Sequence, residues 1–315
     1  PTNTPLPTIT PSNTPTITVT PTNTPTPLSP PPPTTLSGRI AYSRFNSAAN
    51  HFNVYIYCLE TQQVCQQINS ARQPDFSTGG YLVFNGHGNE HNSITRMDLN
   101  YSNARPISLH SEDAHPHWSP DGNSLIFDST AAGPDHRSRI YRLEDATKQP
   151  SAELTALRYI NALIGHHPIY LSNRRIAYQG CDTWLNSSNC GIYTVREFGD
   201  VEPVRYTTNT DDIPTDNFYD SILFTSRRDG NWEVYMVNGS GNIQRLTDAP
   251  GCDGMATTAP DGNSIAFMSD RSGQWGIYVM NPDGTNQRPL VEILDPQPQY
   301  GCDGIWLEER MSWGP

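Results

Sequence analysis

Lysine is almost absent from this chain, and long apolar runs are missing. Only Lys148 among the 20 basic residues is a lysine, and 32 acidic residues give the 315-residue chain a net charge of −12. Nucleic-acid binders draw most of their affinity from basic residues that neutralise phosphates, and no basic stripe is present here. No segment approaches the roughly 20 apolar residues that a membrane-spanning helix needs. The sequence therefore argues against a nucleic-acid partner and predicts no membrane span.

Signatures of catalysis and cofactor binding are also missing. The chain contains no Gly-x-Ser-x-Gly motif, no phosphate-binding glycine signature and no Cys-x-x-Cys metal motif. Paired carboxylates that meet only in space need no local motif, so an extracellular polysaccharide hydrolase or lyase stays as the least favoured hypothesis. We expect a non-enzymatic protein with no cofactor and no metal.

Residues 1–37 differ sharply in composition from the rest of the chain. They contain 12 prolines and 13 threonines, and Asn-Thr-Pro recurs at Asn3, Asn13 and Asn23. Proline fixes φ and lacks an N–H, so this composition predicts an extended arm rather than a helix. At about 3.1 Å per residue the arm would span roughly 115 Å, more than the roughly 50 Å diameter expected for residues 38–315. The arm could therefore reach a neighbouring molecule.

Two interpretations of the arm remain open. Ser/Thr/Pro-rich composition is typical of a flexible glycosylated stalk. Alternatively, the arm is held by a partner, because one segment alternates apolar and β-branched polar residues as an added edge strand does. The residues of that segment are Thr16, Ile17, Thr18, Val19 and Thr20.

From residue 38 onward the chain repeats itself about every 45 residues. The first repeated pattern is a glycine or polar residue followed by two aliphatic residues and an aromatic residue. Its first aliphatic residue is Ile40, Leu82, Leu125, Ile176, Ile222 or Ile265 in the six copies. A second pattern follows each copy and begins at Val54, Ile94, Ile140, Ile192, Val234 and Ile277. No segment keeps a 3.6-residue period for three turns, which excludes a helical solenoid. Short strands joined by Asp-Gly and Asn-Gly turns are indicated instead.

Six copies of four short strands predict an all-β fold, a six-bladed β-propeller over residues 38–315. The first copy lacks an innermost strand of the Pro-x-aromatic-Ser type, seen best at residues 116–119. The chain ends in Arg310-Met-Ser-Trp-Gly-Pro315, with Trp313 at the position of Trp118. We therefore expect the C-terminal strand to complete the first blade and close the ring.

Two stretches resemble the TolB-type, WD-like propeller repeats of bacterial cell-envelope proteins. They are residues 226–238, which begin Ser226-Arg-Arg-Asp-Gly-Asn-Trp232, and residues 259–284, which begin Ala259-Pro-Asp-Gly-Asn-Ser-Ile265. The resemblance covers about residues 38–315 and implies the propeller fold. TolB-like proteins carry a small α/β domain where this chain has its arm. Such propellers serve as scaffolds, docking modules and substrate gates, so the resemblance does not fix a function.

Six cysteines allow 15 complete pairings. Alignment of the repeats favours three of them, Cys58–Cys65, Cys181–Cys190 and Cys252–Cys302. Structural disulfides imply an oxidising compartment, so we expect an extracellular or cell-surface protein. Glycosylation acceptors in such a protein would be Thr4, Thr14 and Thr24 of the arm, together with Asn186 and Asn238 in Asn-x-Ser triplets.

The segments that lead into the innermost strands should converge on the central channel and hold most of the candidate site residues. These are Asp113, His115, His117, His166, His167, Asp212, Asp253 and Asp303. Imidazoles and carboxylates gathered at one mouth could bind a cation such as zinc or calcium. Aspartates at strand starts more often hydrogen-bond backbone N–H groups, and we favour that structural interpretation. Tyr55, Tyr141, Tyr193, Tyr235 and Tyr278 are expected to pack between blades.

Two non-enzymatic hypotheses follow. In the first, the chain is an extracellular structural protein whose arm docks on the next copy, which builds a filament or surface array. In the second, it is a monomeric binding module on a stalk that recognises a protein or a glycan. The partner is then another copy of the chain in the first case and a foreign ligand in the second.

Overall fold

A computed structural model of the chain describes residues 35–86, 92–131, 137–148, 158–183, 186–198, 202–293 and 302–315. The chain divides into the units Pro1–Thr35 and Leu36–Pro315. The predicted edge strand at residues 16–20 and the candidate sites Thr4, Thr14 and Thr24 lie outside the described residues. Within the described residues the second unit is all-β, with one short 3-10 helix at Ile305–Glu308.

The strands form four four-stranded sheets and one seven-stranded sheet, all with antiparallel neighbours. The first sheet contains β1 (Arg39–Asn46), β2 (His51–Cys58), β3 (Gln63–Ile68) and β23 (Met311–Gly314). The second contains β4 (Ala71–Phe76), β5 (Tyr81–Gly86), β6 (Ile94–Asp98) and β7 (Arg105–Pro106). The seven-stranded sheet contains β8 (Ala114–Trp118), β9 (Leu125–Ser129), β10 (Arg139–Leu143), β11 (Arg158–Tyr170), β12 (Arg175–Thr183), β13 (Asn186–Arg196) and β14 (Val204–Arg205). The last two contain β15 (Ile213–Phe218), β16 (Ser221–Ser226), β17 (Glu233–Val237) and β18 (Ile243–Arg245), and then β19 (Asp253–Thr258), β20 (Ile265–Ser269), β21 (Gly276–Met280) and β22 (Arg288–Glu292).

The C-terminal strand closes the ring, as the sequence predicts. β23 pairs with β1, and Trp313 lies opposite Ile40. The indole Nε1–H of Trp313 donates to the carbonyl of Ser37 at 2.9 Å, and Leu36 packs against the same hydrophobic cluster. The two ends of the propeller are therefore fastened to each other.

Among the described residues, six hydrophobic clusters lie between consecutive copies of the repeat. In one of them Leu223 and Val234 of one sheet pack against Phe267 and Tyr278 of the next. The largest cluster joins the last sheet to the first and contains both Ile277 and Ile40. The predicted tyrosine stripe belongs to this packing, because each of its members is part of one of these clusters or packs against one. Within its own sheet each member also faces an aromatic residue on the neighbouring strand, in the pairs Tyr42–Tyr55, Phe127–Tyr141, Tyr178–Tyr193, Phe224–Tyr235 and Phe267–Tyr278.

The seven-stranded sheet departs from the predicted series of separate four-stranded blades. β11 is 13 residues long. Its first part pairs with β10, where Tyr159 lies opposite Tyr141, and its last part pairs with β12, where Ile169 lies opposite Ala177. Because one continuous strand serves two neighbours, the strand pairing joins what the sequence predicts as the third and fourth blades.

The three predicted disulfides are present, and the described residues contain no free cysteine. Cys58–Cys65 links β2 to β3, Cys181–Cys190 links β12 to β13, and Cys252–Cys302 joins the start of β19 to the segment before the 3-10 helix. Disulfides persist in oxidising environments, so the protein belongs outside the cytoplasm. No helix in the described part of the chain has the length and apolar character needed to cross a membrane.

Candidate functional site

Five inward-facing side chains hold the innermost strands together, and we call Asp75, His117, Asp216, Thr257 and Ser312 the acceptor ring. Each accepts the backbone N–H of the next innermost strand. The five N–H donors and their acceptors are Phe76 to Ser312 at 2.9 Å, Trp118 to Asp75 at 2.7 Å, Tyr170 to His117 at 3.3 Å, Thr258 to Asp216 at 2.9 Å and Trp313 to Thr257 at 3.1 Å. Every acceptor stands one residue before the repeat position of Trp118. We call this the aromatic position, although Asn217 and Thr258 occupy it in two of the five copies. The ring is therefore a repeated device that joins each innermost strand to the next.

The acceptor ring is interrupted between β11 and β15. Ile169 occupies the acceptor position on β11, and it packs in a hydrophobic cluster instead. The N–H of Asn217 donates to its own neighbour Asp216 at 2.7 Å. Asp216 also accepts from the hydroxyl of Thr257 at 2.8 Å. Both oxygens of this carboxylate are thus occupied by hydrogen bonds to the protein.

A pocket of about 290 Å³, the mouth pocket, opens at the C-terminal ends of the innermost strands. Its floor carries the ring carboxylates Asp75 and Asp216, and its walls include the aromatic residues Phe76, Trp118, Tyr170, Tyr219 and Trp313. The volume lies at the lower end of the roughly 300–1,000 Å³ typical of ligand pockets. A neighbouring cleft of about 350 Å³ is lined by Leu36 and Ser37, and it shares Trp313 with the mouth pocket.

The guanidinium of Arg310 crosses the channel behind the mouth pocket. It is carried by the residue before β23, and it donates to the carbonyl of Pro116 on β8 at 2.8 Å and to that of Pro168 on β11 at 3.1 Å. The side chain is buried, and burial lowers the pKa of the guanidinium although Asp75 and Asp216 oppose the shift. The channel is therefore filled at this level by the protein itself.

A second group of polar side chains, which we call the His–Glu cluster, consists of His115, His167 and Glu308. The two histidines stand two residues before the acceptor position of their repeats, and Glu308 ends the 3-10 helix. Their ligand-type atoms all lie within 4.8 Å of one another. Nδ1–H of His115 donates to Asp128 at 2.7 Å, and the rings of His115 and His167 have centroids 4.0 Å apart. Imidazole and carboxylate groups in this arrangement can hold a metal ion or donate and accept protons.

Burial and neighbouring charges shift the pKa values of this region in opposite directions. Burial lowers the pKa of His167 well below its ordinary value, and the neighbouring His115 adds to the shift. Burial alone would raise the pKa of Asp128, but His115 and His166 outweigh it and lower that pKa. The hydrogen bond with Asp128 raises the pKa of His166. Burial raises the pKa of Asp75 in the acceptor ring.

The four predicted aspartates do not join either group. Asp113 is buried and accepts the N–H of His110 at 3.1 Å, which is the turn-capping role. Asp212 and Asp253 pair with arginines of their own repeats, Arg228 and Arg271. Asp303 is exposed and accepts from the indole of Trp232 at 3.2 Å. His117 lies toward the mouth pocket rather than beside His115 and His167.

The two candidate asparagine acceptors lie at different kinds of position. Asn238 occupies an exposed turn, where its side-chain oxygen accepts the N–H groups of Ser240 and Asn242 at 3.0 Å each. Asn186 begins β13, and its side chain lies outside what the structure describes. Asn238 is therefore accessible to modification.

Five residues of these sites are not among those predicted from the sequence: Glu308, Asp128, Asp75, Asp216 and Arg310. A signal existed for three of them. Asp75 and Asp216 stand at the repeat position of His117, immediately before the aromatic position, and Arg310 precedes the predicted closing strand. Glu308 and Asp128 follow no repeated pattern, and only the folded chain brings them to His115.

Comparison with solved structures identifies propellers. TolB from Acinetobacter baumannii matches with a TM-score of 0.68 and 17% identity over 90% of this chain and 68% of its own. A putative TolB from Agrobacterium tumefaciens matches with a TM-score of 0.61 and 19% identity over 89% of this chain and 99% of its own. The β-propeller domain of the trilobed protease from Pyrococcus furiosus matches with a TM-score of 0.52 and 15% identity over 81% of this chain and 80% of its own. The likeness is one of fold. No family model and no curated protein matches the sequence.

Proposed function

We propose that this chain is a non-enzymatic structural protein of the cell surface or extracellular space. Each copy is a propeller subunit whose N-terminal arm docks in the mouth pocket of the next copy, so that the copies build a filament or surface array. The observation that carries the proposal is an aromatic-lined pocket in a chain that also has a proline-rich arm. Three lines of argument support it.

The propeller in this proposal has six blades, with the seven-stranded sheet counted as two. Six hydrophobic clusters between successive repeats support this count, and one of them lies between the two halves of that sheet, where Ile126 and Ile140 pack against Ile176 and Tyr178. The acceptor ring also treats β8 and β11 as separate innermost strands, because His117 accepts the N–H of Tyr170. A closed ring leaves few free sheet edges, so contacts between copies need another device.

The chemistry of the mouth pocket matches that of the arm. Proline-rich segments bind in aromatic-lined grooves, because their preformed extended conformation loses little entropy on binding. The pocket supplies such walls, with Tyr219 61% exposed at its rim. The arm supplies 12 prolines within 37 residues. The pocket therefore suits a proline-rich occupant.

Docking in a second copy is favoured over docking in the same copy. Four consecutive prolines at residues 30–33 precede the arm root, and such runs favour stiff polyproline II geometry that does not reverse direction. The root itself is fastened beside the mouth pocket through Ser37 and Trp313. A stiff segment of this composition does not readily fold back, which favours a pocket on another copy as its binding site. A contact of this head-to-tail kind that does not close produces an open polymer.

A hydrolytic function is disfavoured by the state of the carboxylates. Asp75 accepts the N–H of Trp118 at 2.7 Å and the hydroxyl of Ser312 at 3.0 Å, and Asp216 is engaged at both oxygens. Arg310 fills the channel behind them. Each oxygen of these two carboxylates accepts a hydrogen bond from the protein and thereby joins strands, whereas a general base or a nucleophile has to face the substrate.

Removal of the arm tests the proposal. Full-length protein and a variant lacking residues 1–34 would be compared by sedimentation velocity and electron microscopy over a range of concentrations. We expect concentration-dependent polymers from the full chain, and folded monomers from the truncated variant. A peptide of residues 1–34 should bind the truncated variant.

Two exposed aromatic residues provide a test variant and its control. Tyr219 adopts a positive φ of 53°, which asparagine tolerates, so Tyr219→Asn should keep the fold. We expect this variant to weaken peptide binding at least tenfold, whereas Phe198→Ala, outside the pocket and 62% exposed in the native chain, should bind normally. A full-length chain that stays monomeric, or a peptide that binds Tyr219→Asn equally well, would overturn the proposal. The first result would favour the monomeric stalked module that binds a foreign protein or glycan.

A further inference from the structure

The His–Glu cluster brings three ligand atoms to one point from three separate parts of the chain. His115 is on β8, His167 is on β11, and Glu308 ends the 3-10 helix before the closing strand. Oε2 of Glu308 is 3.6 Å from Nε2 of His115 and 3.7 Å from Nε2 of His167. Around a tetrahedral zinc with bonds near 2.0–2.1 Å, neighbouring ligand atoms lie about 3.4 Å apart. The two measured distances are within a few tenths of an ångström of that value.

The backbone aims both imidazoles inward. His115 and His167 have positive φ values of 51° and 50°, and each lies at a break in strand register. Bulges of this kind redirect side chains. Both histidines are buried, so their Nε2 atoms lie inside the protein rather than at its surface.

The surrounding residues are arranged as around a metal-bound histidine. Nδ1–H of His115 donates to Asp128, and the hydroxyl of Ser138 donates to the same carboxylate at 2.8 Å. A carboxylate that accepts the Nδ1 proton fixes the ring and makes Nε2 the unprotonated nitrogen, whose lone pair can coordinate a metal. The amide of Gln73 donates to this Nε2 at 2.9 Å and also to the backbone carbonyl of Glu308 at 2.6 Å. The amide of Gln73 therefore still donates to the carbonyl of Glu308 when a metal ion replaces it at Nε2 of His115.

Access to the cluster is from the side of Glu308. The side chain of Glu308 is 56% exposed, whereas those of His115 and His167 are 4% and 6% exposed. An ion can therefore enter past the carboxylate, and solvent can supply a fourth ligand. Two imidazoles and one carboxylate suit zinc and its neighbours, whereas calcium prefers six to eight oxygen ligands.

We propose that His115, His167 and Glu308 form a binding site for a divalent transition metal, zinc in the first place. The ion would join two innermost strands to the segment that precedes β23. It would thus fasten the ring closure at the end of the channel opposite the mouth pocket. This inference is independent of the proposed assembly, so a variant that lacks residues 1–34 should bind the metal as the full chain does.

Zinc titration of the untagged, chelator-treated full chain tests the proposal. Calorimetry gives the affinity and stoichiometry, and elemental analysis after gel filtration gives the retained metal. We expect one zinc per chain, no competition from calcium, and the visible absorption of a low-symmetry site when cobalt(II) replaces zinc. The three disulfides leave no thiol in the described residues to bind zinc instead.

Two substitutions and one control locate the site. Glu308→Gln keeps the shape of an exposed side chain, and we expect it to weaken zinc binding at least tenfold. His115→Gln should weaken it at least a hundredfold, and Glu292→Gln, an exposed glutamate outside the cluster, should leave it unchanged. No zinc binding by the full chain, or native affinity in either cluster variant, would overturn the proposal. If His115→Gln does not fold, Glu308→Gln alone decides the question.

Discussion

The disulfide Cys252–Cys302 should contribute more to the stability of the propeller than either of the other two. It joins residues 50 apart in sequence, whereas Cys58–Cys65 joins residues 7 apart. A disulfide restricts the unfolded chain more strongly when the loop it closes is longer. The two bonds can therefore be compared directly, because both link residues of the same folded unit.

The expected magnitudes follow from loop-closure entropy. The relation ΔS ≈ −2.1 − 1.5R ln n gives about 4.1 kcal/mol at 25 °C for the loop of 50 and about 2.4 kcal/mol for the loop of 7. The double variant Cys252→Ala/Cys302→Ala should thus lose about 1.7 kcal/mol more free energy of unfolding than Cys58→Ala/Cys65→Ala. Cys252 is also buried, and the small cavity left by alanine adds to the loss in the first variant.

Equilibrium unfolding in urea, followed by tryptophan fluorescence without reductant, measures both losses. Each variant must show a single transition for the comparison to hold. Equal losses in the two variants, or a larger loss for Cys58→Ala/Cys65→Ala, would refute the loop-closure argument.

Three further outcomes are expected. The hydrogen bond from the Ser119 hydroxyl and the guanidinium of Arg174 lower the pKa of Asp121 from 3.8 to about 2. The stability that ionised Asp121 contributes is therefore complete above pH 3.8 and is lost as the pH falls toward 2. Over that interval the urea midpoint of Asp121→Asn should fall less than that of the native chain. Glu197 is buried and pairs with two arginines and a tyrosine hydroxyl, so Glu197→Gln should lose about 3 kcal/mol in urea unfolding, whereas the exposed control Glu144→Gln should change by less than about 0.5 kcal/mol. Gly38 and Gly80 both have a φ of 90°, but a Cβ on Gly38 would strike the carbonyl of Gly314 on the closing strand, whereas a Cβ on Gly80 would meet open space. Gly38→Ala should therefore lower the melting temperature more than Gly80→Ala.

Ring closure could be predicted from the sequence because it depends on a repeated pattern. Trp313 matches Trp118 in its local motif, and a missing first strand leaves one place for the C-terminus. The disulfides were predictable for the same reason, since Cys252 and Cys302 occur in identical Gly-Cys-Asp-Gly motifs.

The continuous strand β11 was not predictable in this way. The repeats around it are 51 residues apart, from Leu125 to Ile176, which is the longest spacing in the chain. The extra residues extend the strand toward β10 instead of forming a separate loop. Their pairing depends on which neighbour lies within reach in the folded ring, and repeat spacing alone does not contain that information.

The candidate site was predicted in part. His115 and His167 are equivalent positions of two repeats, each followed by proline, so their meeting at the channel follows from the fold. Glu308 belongs to no repeat, and it reaches them only because the closing strand returns to the first blade. A ligand that the closure itself supplies is invisible to any local pattern.

One repeat position explains why the channel carboxylates join strands. The residue before the aromatic position is Asp75, His117, Asp216, Thr257 or Ser312 in five copies, and all five accept an N–H from the adjacent strand. Chemically different side chains thus perform one task. The position requires a side chain that accepts a hydrogen bond, and that side chain need not be acidic. Two residues earlier, the six repeats carry Gln73, His115, His167, Pro214, Met255 and Arg310, which differ in charge and shape. Specialised chemistry is therefore expected at this second level, where the His–Glu cluster lies, and at the rim of the mouth pocket, where side chains are exposed.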